Sequence, residues 1–101
     1  MNKKGYVYFM TTTLHTVLYI GVTSDLKRRV TEHKEHRGSV FAAKYLCDIL
    51  VYYEVLPSIE KAIERETQLK NYHRKWKNEL VDKTNPEWRD LAEGVILNPL
   101  L

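Results

Sequence analysis

Two short tyrosine-rich segments, Tyr6-Val7-Tyr8 and Tyr19-Ile20-Gly21, flank a ten-residue spacer from Phe9 to Leu18. No other feature constrains the fold as much. Tyr6 to Met10 and Val17 to Val22 are rich in β-branched and aromatic residues, which suit a pleated, half-buried surface. The mostly polar Thr11–Thr16 stretch between them predicts an antiparallel hairpin. Alternation puts Tyr6, Tyr8 and Met10 on one face of the first strand, and Val17, Tyr19 and Gly21 on one face of the second.

The second strand runs into Thr23-Ser24-Asp25-Leu26, which opens a basic helix. Ser24 reads as its N-cap, with Asp25 favourable in the first turn. Leu26, Arg29, Val30 and His33 follow at i, i+3, i+4 and i+7, the core-facing stripe of an amphipathic helix. Gly38-Ser39 ends this segment, and Val40 to Tyr45 reads as a short helical turn. Ile49 to Glu54 predicts a third strand, stopped by Pro57. Ser58 then caps a long helix to about Arg74, with the stripe Ile59, Ala62, Ile63, Glu66 and Leu69. Lys75 to Asp82 continues it, with Trp76 and Leu80 one turn apart. Asn85-Pro86 predicts a fresh helix start and a short helix over Glu87 to Leu91. The apolar tail, Val95 to Leu101, must pack on the domain or bind a partner.

A chain of 101 residues supports one domain, 1–101, with a modest core. The motif-bearing part spans about residues 5–91, and 92–101 form a tail. A hydrophobic share of 44% with 29% charged residues excludes a disordered chain. Net charge is +3, a mild bias toward polyanions. Residues 1–45 hold eight basic and three acidic residues; residues 46–101 hold eight and ten. The basic residues of the second half cluster at Arg65, Lys70, Arg74, Lys75 and Lys77. Two basic zones on a small domain line a groove or make two solvated helix faces. Cys47 stands alone, which rules out a disulfide framework and fits a reducing cytoplasm. The few apolar residues after Met1-Asn2-Lys3-Lys4 are too short a run for a signal peptide or a membrane span.

Several polar residues sit where apolar ones belong. Glu66 interrupts an apolar stripe, and a buried carboxylate is costly unless paired or bound to a metal. It is either a metal ligand or the partner of Arg29 or Lys70. Arg29 either forks onto a phosphate or pairs with Glu32 or Glu66, its stem covering apolar surface. His33 shuttles protons or is a satisfied hydrogen-bonder at the core's edge. Tyr8 and Tyr19 face each other across the hairpin or simply pack there. Tyr8 needs a metal or a base nearby to act, because a free phenol with pKa about 10 is a poor base. Gly21 lets backbone or phosphate approach closely at the strand end. Asn85 is first an N-cap. His33, His36 and Cys47 match no common zinc spacing and are discounted as a zinc site.

Taken in order, these stretches resemble the GIY-YIG nuclease family, in its branch of small stand-alone domains similar to the nuclease module of the bacterial repair excinuclease. The matching residues are Tyr6-Val7-Tyr8, then Tyr19 to Leu26 with Arg29 and His33. They continue through Arg65-Glu66 with Leu69-Lys70, Arg74 and Lys77, and end at Thr84-Asn85-Pro86-Glu87-Trp88. Each motif is weak alone; the ordered set is specific. The resemblance implies an α/β fold with a three-stranded antiparallel sheet flanked by helices. It implies one divalent cation, Mg²⁺ or Mn²⁺, held by Glu66, and hydrolysis leaving a 5′-phosphate and a 3′-hydroxyl. Tyr8 becomes the expected general base, Tyr19 positions substrate or water, and Arg29 stabilises charge in the transition state. His33 and Asn85 fall at site positions. Gly21, Lys44, Arg65, Lys70, Arg74 and Asn85 are the expected substrate contacts.

The expected partner is nucleic acid, DNA ahead of RNA, in a repair-related setting and with a protein partner for targeting. The rival expectation is a nucleic-acid-binding or protein-interaction module on the same fold with little catalysis. Three departures stand out. Tyr6 replaces the family's glycine, the Thr11–Thr16 loop has no glycine, and Leu46-Cys47-Asp48 follows Tyr45 where some relatives carry arginines.

Overall fold

In the computed structural model, which describes residues 3–101, eight elements follow in order. They are β1 (Gly5–Thr11), β2 (Leu18–Thr23), α1 (Leu26–Lys34), α2 (Val40–Lys44), β3 (Ile49–Leu56), α3 (Ile59–Lys70), α4 (Arg74–Thr84) and α5 (Ala92–Leu97). Met1 and Asn2, which head the 1–101 domain and its basic N-terminal run, lie outside the described residues.

The strands form one antiparallel sheet in the order β2-β1-β3. β1 is central and buried along its whole length, because helices cover both faces. Tyr6, Tyr8 and Met10 pack with Leu26, Val30, Ala42, Ala92 and Val95, from α1, α2 and α5. Val7 and Phe9 point the other way, onto Ala62, Leu69 and Val81 of α3 and α4. The expected hairpin is present, with Tyr8 opposite Gly21 and Met10 opposite Tyr19.

Four local expectations are corrected. Asp25, not Ser24, caps α1: its carboxylate accepts from Arg28 N at 3.1 Å, while Thr23 Oγ1 accepts from Asp25 N at 3.0 Å. That threonine turn delays the helix by one residue. The single long helix is two, α3 and α4, separated at Asn71–His73. Asn71 Nδ2 donates to Thr67 O, Tyr72 N to Leu69 O, and His73 is extended, so the chain turns and brings Val81 to the same core as Leu69. Ile63 is not on the buried stripe of α3, being 48% exposed. Residues 87–91 form no helix; the tail does instead, as α5, which buries Ala92 and Val95 against the α1 side of the sheet.

Candidate active site

Tyr8 sits in mid-β1 and faces α1. Gly21 lies opposite it on β2, and the Tyr8 ring and hydroxyl occupy the space where a Cβ at Gly21 would stand. The room Gly21 leaves is therefore filled by a tyrosine of the chain itself, neither by backbone nor by phosphate. The Tyr8 hydroxyl is 2.9 Å from His33 Nε2. The imidazole is held in turn by Gly38, where an added Cβ would come within 2.5 Å of His33 Nδ1. Two glycines thus seat two rings. Tyr19 completes the cluster, its ring centroid 6.2 Å from Tyr8 and 5.4 Å from His33.

Arg29 lies one turn before His33 on α1. Its Nε is 3.1 Å from Glu32 Oε1, an ion pair without hydrogen-bond alignment. Glu32 also meets Arg37 at 3.6 Å. Arg29 Nε and His33 Nδ1 are buried polar atoms with no hydrogen-bond partner among the described residues. Such atoms are uncommon and point to a site where polar groups serve something other than the fold.

The surroundings shift both proton carriers. Burial first, and then the neighbouring Tyr19, push the Tyr8 phenol well above its ordinary pKa; the Arg29 guanidinium opposes this and does not prevail. Burial first, and then the Arg29 charge, lower the His33 pKa to about 4, against a smaller opposing effect of Glu32. At neutral pH the pair is a phenol beside a neutral imidazole. Tyr8 is 0% and His33 2% exposed, whereas Tyr19 and Arg29 are partly exposed.

Glu66 is on α3, across the sheet from α1. Its side chain is 16% exposed, and Lys70 Nζ approaches it at 3.5 Å. It makes no ion pair with Arg29. Lys70 also lines a depression of roughly 250 Å³ with Tyr19, Phe41 and Lys77. No group of three or more His, Cys, Asp or Glu side chains gathers for a metal among the described residues. A single carboxylate nevertheless fits Mg²⁺, which commonly keeps several waters and is held by one or two carboxylates plus substrate phosphate.

The expected substrate contacts divide. Lys70 lines the depression. Lys44 is exposed on α2, its ammonium 5.5 Å from the Tyr45 ring centroid. Arg65 is committed elsewhere: Nε and Nη2 donate to Glu54 on β3 at 2.8 and 3.0 Å, and Nη1 to Gln68. Arg74 spends its donors on Asn78 and on the His15 and Thr16 carbonyls of the hairpin loop. Asn85 ends α4 rather than starting a helix, and it is buried. Its Nδ2 donates to Val51 O and Arg89 O, and its Oδ1 accepts from Arg89 N. Arg65, Arg74 and Asn85 thus tie elements together, because nearby acceptors already satisfy them. His36 pairs with Asp48 and His33 with Tyr8, while Cys47 is buried.

Phe41 belongs to the depression, although nothing in the sequence reading made it a site residue. The Phe41/Tyr45 spacing of four after the capping Ser39 was the available signal. Lys77, legible in sequence as one of a basic cluster and as a residue matching the family but not as a site residue, lines the depression too. Burial first, then Arg74 and Lys70, lower its pKa, the mark of cations gathered at one place.

The sequence profile described as the GIY-YIG catalytic domain matches residues 4–79. The chain belongs to the GIY-YIG family. That is a nuclease family, and the profile covers every residue of the Tyr8 cluster as well as Glu66. A UPF0213 protein of Haloquadratum walsbyi is 32% identical over 83 residues, covering 82% of this chain and 92% of the relative. A UPF0213 protein of Streptococcus pyogenes is 38% identical over 69 residues, covering 68% and 74%. The solution NMR structure of the UPF0213 protein BH0048 from Bacillus halodurans superposes with a TM-score of 0.53 at 26% identity, covering 89% of this chain and 95% of that one. The GIY-YIG fold, a three-stranded antiparallel sheet with flanking helices, is thereby established for this chain.

Proposed function

We propose that this GIY-YIG domain is a divalent-metal-dependent endonuclease that hydrolyses phosphodiester bonds of nucleic acid, DNA ahead of RNA, in a repair-related role. The observation that carries the reading is the 2.9 Å contact between a buried phenol and an imidazole held neutral, beside an arginine whose buried Nε has no aligned acceptor. Tyr8 is the base toward water. Its raised pKa makes it a poor base alone, so His33 Nε2 takes the phenol's proton as the phenol takes one from water. Arg29 faces the charge that develops on the phosphate oxygens, a stabilisation worth most in the transition state. Tyr19, partly exposed in front of Tyr8, positions water or phosphate. The water oxygen bonds to phosphorus and the bond to the 3′-oxygen breaks, leaving a 5′-phosphate and a 3′-hydroxyl.

Glu66 is the residue that would hold Mg²⁺ or Mn²⁺, and the ion, when bound, supplies positive charge to the phosphate. Lys70 neutralises Glu66 in the free chain. Because Tyr8 and His33 are covered, a reacting water meets the phenol only when a neighbouring side chain shifts. That cover is the observation favouring the rival, a binding module that cuts little by itself and acts with a protein partner.

Incubating supercoiled plasmid with purified protein separates the two. Nicking with Mg²⁺ or Mn²⁺ is expected, abolished by chelator and by Glu66→Gln with the melting temperature retained. Binding without nicking under any divalent ion would overturn the nuclease reading.

A further inference from the structure

The ring cluster does not end at Tyr19. Phe41 stacks on Tyr19 at 6.1 Å and 26°, and Tyr45 follows Phe41 at 4.7 Å. The row runs from a fully buried Tyr8 outward to Phe41 and Tyr45, which are 48% and 44% exposed. α2 produces this. Ser39 Oγ caps it by accepting from Ala42 N, and Ala42 anchors it in the core. Phe41 and Tyr45, four apart, then share the outward side. Single exposed aromatics are ordinary. A connected row that starts at a catalytic phenol and ends in solvent is not.

Charge decides what the row fits. Lys70 and Lys77 share the depression with Phe41, and Lys44 stands by Tyr45. Of the carboxylates, Glu66 is engaged by Lys70 and Asp48 by His36. Aromatic faces interleaved with lysines are the pattern that takes bases on the rings and phosphates on the cations. A base inside a duplex has both faces covered by its neighbours; an unpaired one has a face to offer.

We propose that Phe41 and Tyr45 are a stacking platform for an unpaired nucleobase adjacent to the scissile phosphate, so that the substrate is nucleic acid with a single-stranded segment at the cut. This rests on the nuclease reading and adds the substrate class. Phe41 carries the base that enters next to Tyr19, and Tyr45 the one beyond it. Lys77 meets the intervening phosphate, and Lys70 turns to it from its 3.5 Å ion pair with Glu66.

The test is binding of the whole chain in chelator, where nothing is cut. The probes are a blunt DNA duplex and the same duplex with a DNA or an RNA overhang carrying 2-aminopurine. Phe41→Leu is expected to weaken overhang binding about ten-fold or more, the usual loss for one stacked base, with little change on the blunt duplex. Phe41→Trp should restore both the affinity and the 2-aminopurine quenching. A selective loss on either overhang supports the platform and names the polymer. Should Phe41→Leu melt well below the wild type, Tyr45→Leu carries the same comparison. Unchanged overhang binding in both variants, or equal loss on blunt and overhung probes, would overturn the platform. Nicking of blunt duplex with no gain from an overhang would overturn it and leave the nuclease standing. No binding and no nicking would overturn both.

Discussion

Tyr8 carries two demands that conflict. The core needs its ring, and the proposed chemistry needs its hydroxyl as a proton acceptor, which burial opposes. His33 reconciles them, because the same burial holds the imidazole neutral down to about pH 4. Tyr8→Phe keeps the ring and removes only the oxygen. It should lower cleavage by about 10² or more, the scale of positioned acid–base catalysis. Stability should fall by only about 1 kcal/mol, for the unpaired His33 Nε2. The wild-type kcat/KM should drop on the acid side only as pH approaches about 4, where His33 gains its proton. Full activity in Tyr8→Phe would remove the phenol as base.

The shift of His33 also has a consequence for stability. Its folded pKa of about 4 lies below the unfolded value near 6.5, so between them the unfolded chain binds more protons. The contribution is fully present above about pH 6.5 and is lost as pH falls to about 4, on the order of 3 kcal/mol. Melting curves across that window should show the wild type losing more stability than His33→Gln. Parallel curves would mean that His33 is not held neutral.

At the scale of elements, the site depends on the fit between strand and helix. β2 contributes Gly21 so that β1 can lay Tyr8 across it, and the α1–α2 loop contributes Gly38 so that α1 can seat His33. Gly21→Ala should therefore displace the Tyr8 ring, at a cost of about 1–3 kcal/mol typical of overpacking. Activity should fall further than that stability loss explains, because the hydroxyl leaves His33. Circular dichroism melting beside a nicking assay checks this, and a fully active, fully stable Gly21→Ala would show that the ring has room to spare. The far edge of the sheet has another task. Burial would raise the Glu54 pKa, but hydrogen bonds from Arg65 and Tyr52 prevail and lower it, locking β3 to α3.

For the whole molecule, a net charge of +3 sets a limit on unaided binding. Arg65 and Arg74 are hydrogen-bonded within the fold; in the proposed complex Arg29, Lys44, Lys70 and Lys77 meet phosphate, Arg29 and Lys70 leaving their ion pairs with Glu32 and Glu66. The slope of log affinity against log salt should be about −3, near what that few phosphate contacts release. Binding titrations over a four-fold salt range measure it, and a slope beyond about −6 would demand a second basic surface.

The hairpin, the α1 stripe and the face shared by Tyr6, Tyr8 and Met10 on β1 were legible because periodicity and side-chain chemistry are local. The same holds for the order of Tyr8, Tyr19, Arg29, His33 and Glu66, which the family profile spans. The break at Asn71–His73, the α5 helix in the tail and the seat of Asn85 were not legible. Each depends on an acceptor or an apolar face brought from elsewhere in the chain, as Val51 O is brought to Asn85 and the α1 side of the sheet to Val95. The commitment of Arg65 and Arg74 was hidden for the same reason, since a guanidinium reads alike in sequence whether it meets Glu54 or a phosphate. The sequence by itself determined which chemical groups the chain carries and their order. Only the tertiary structure decided which of them are already satisfied, because a hydrogen bond is made with whatever the fold sets within three ångströms.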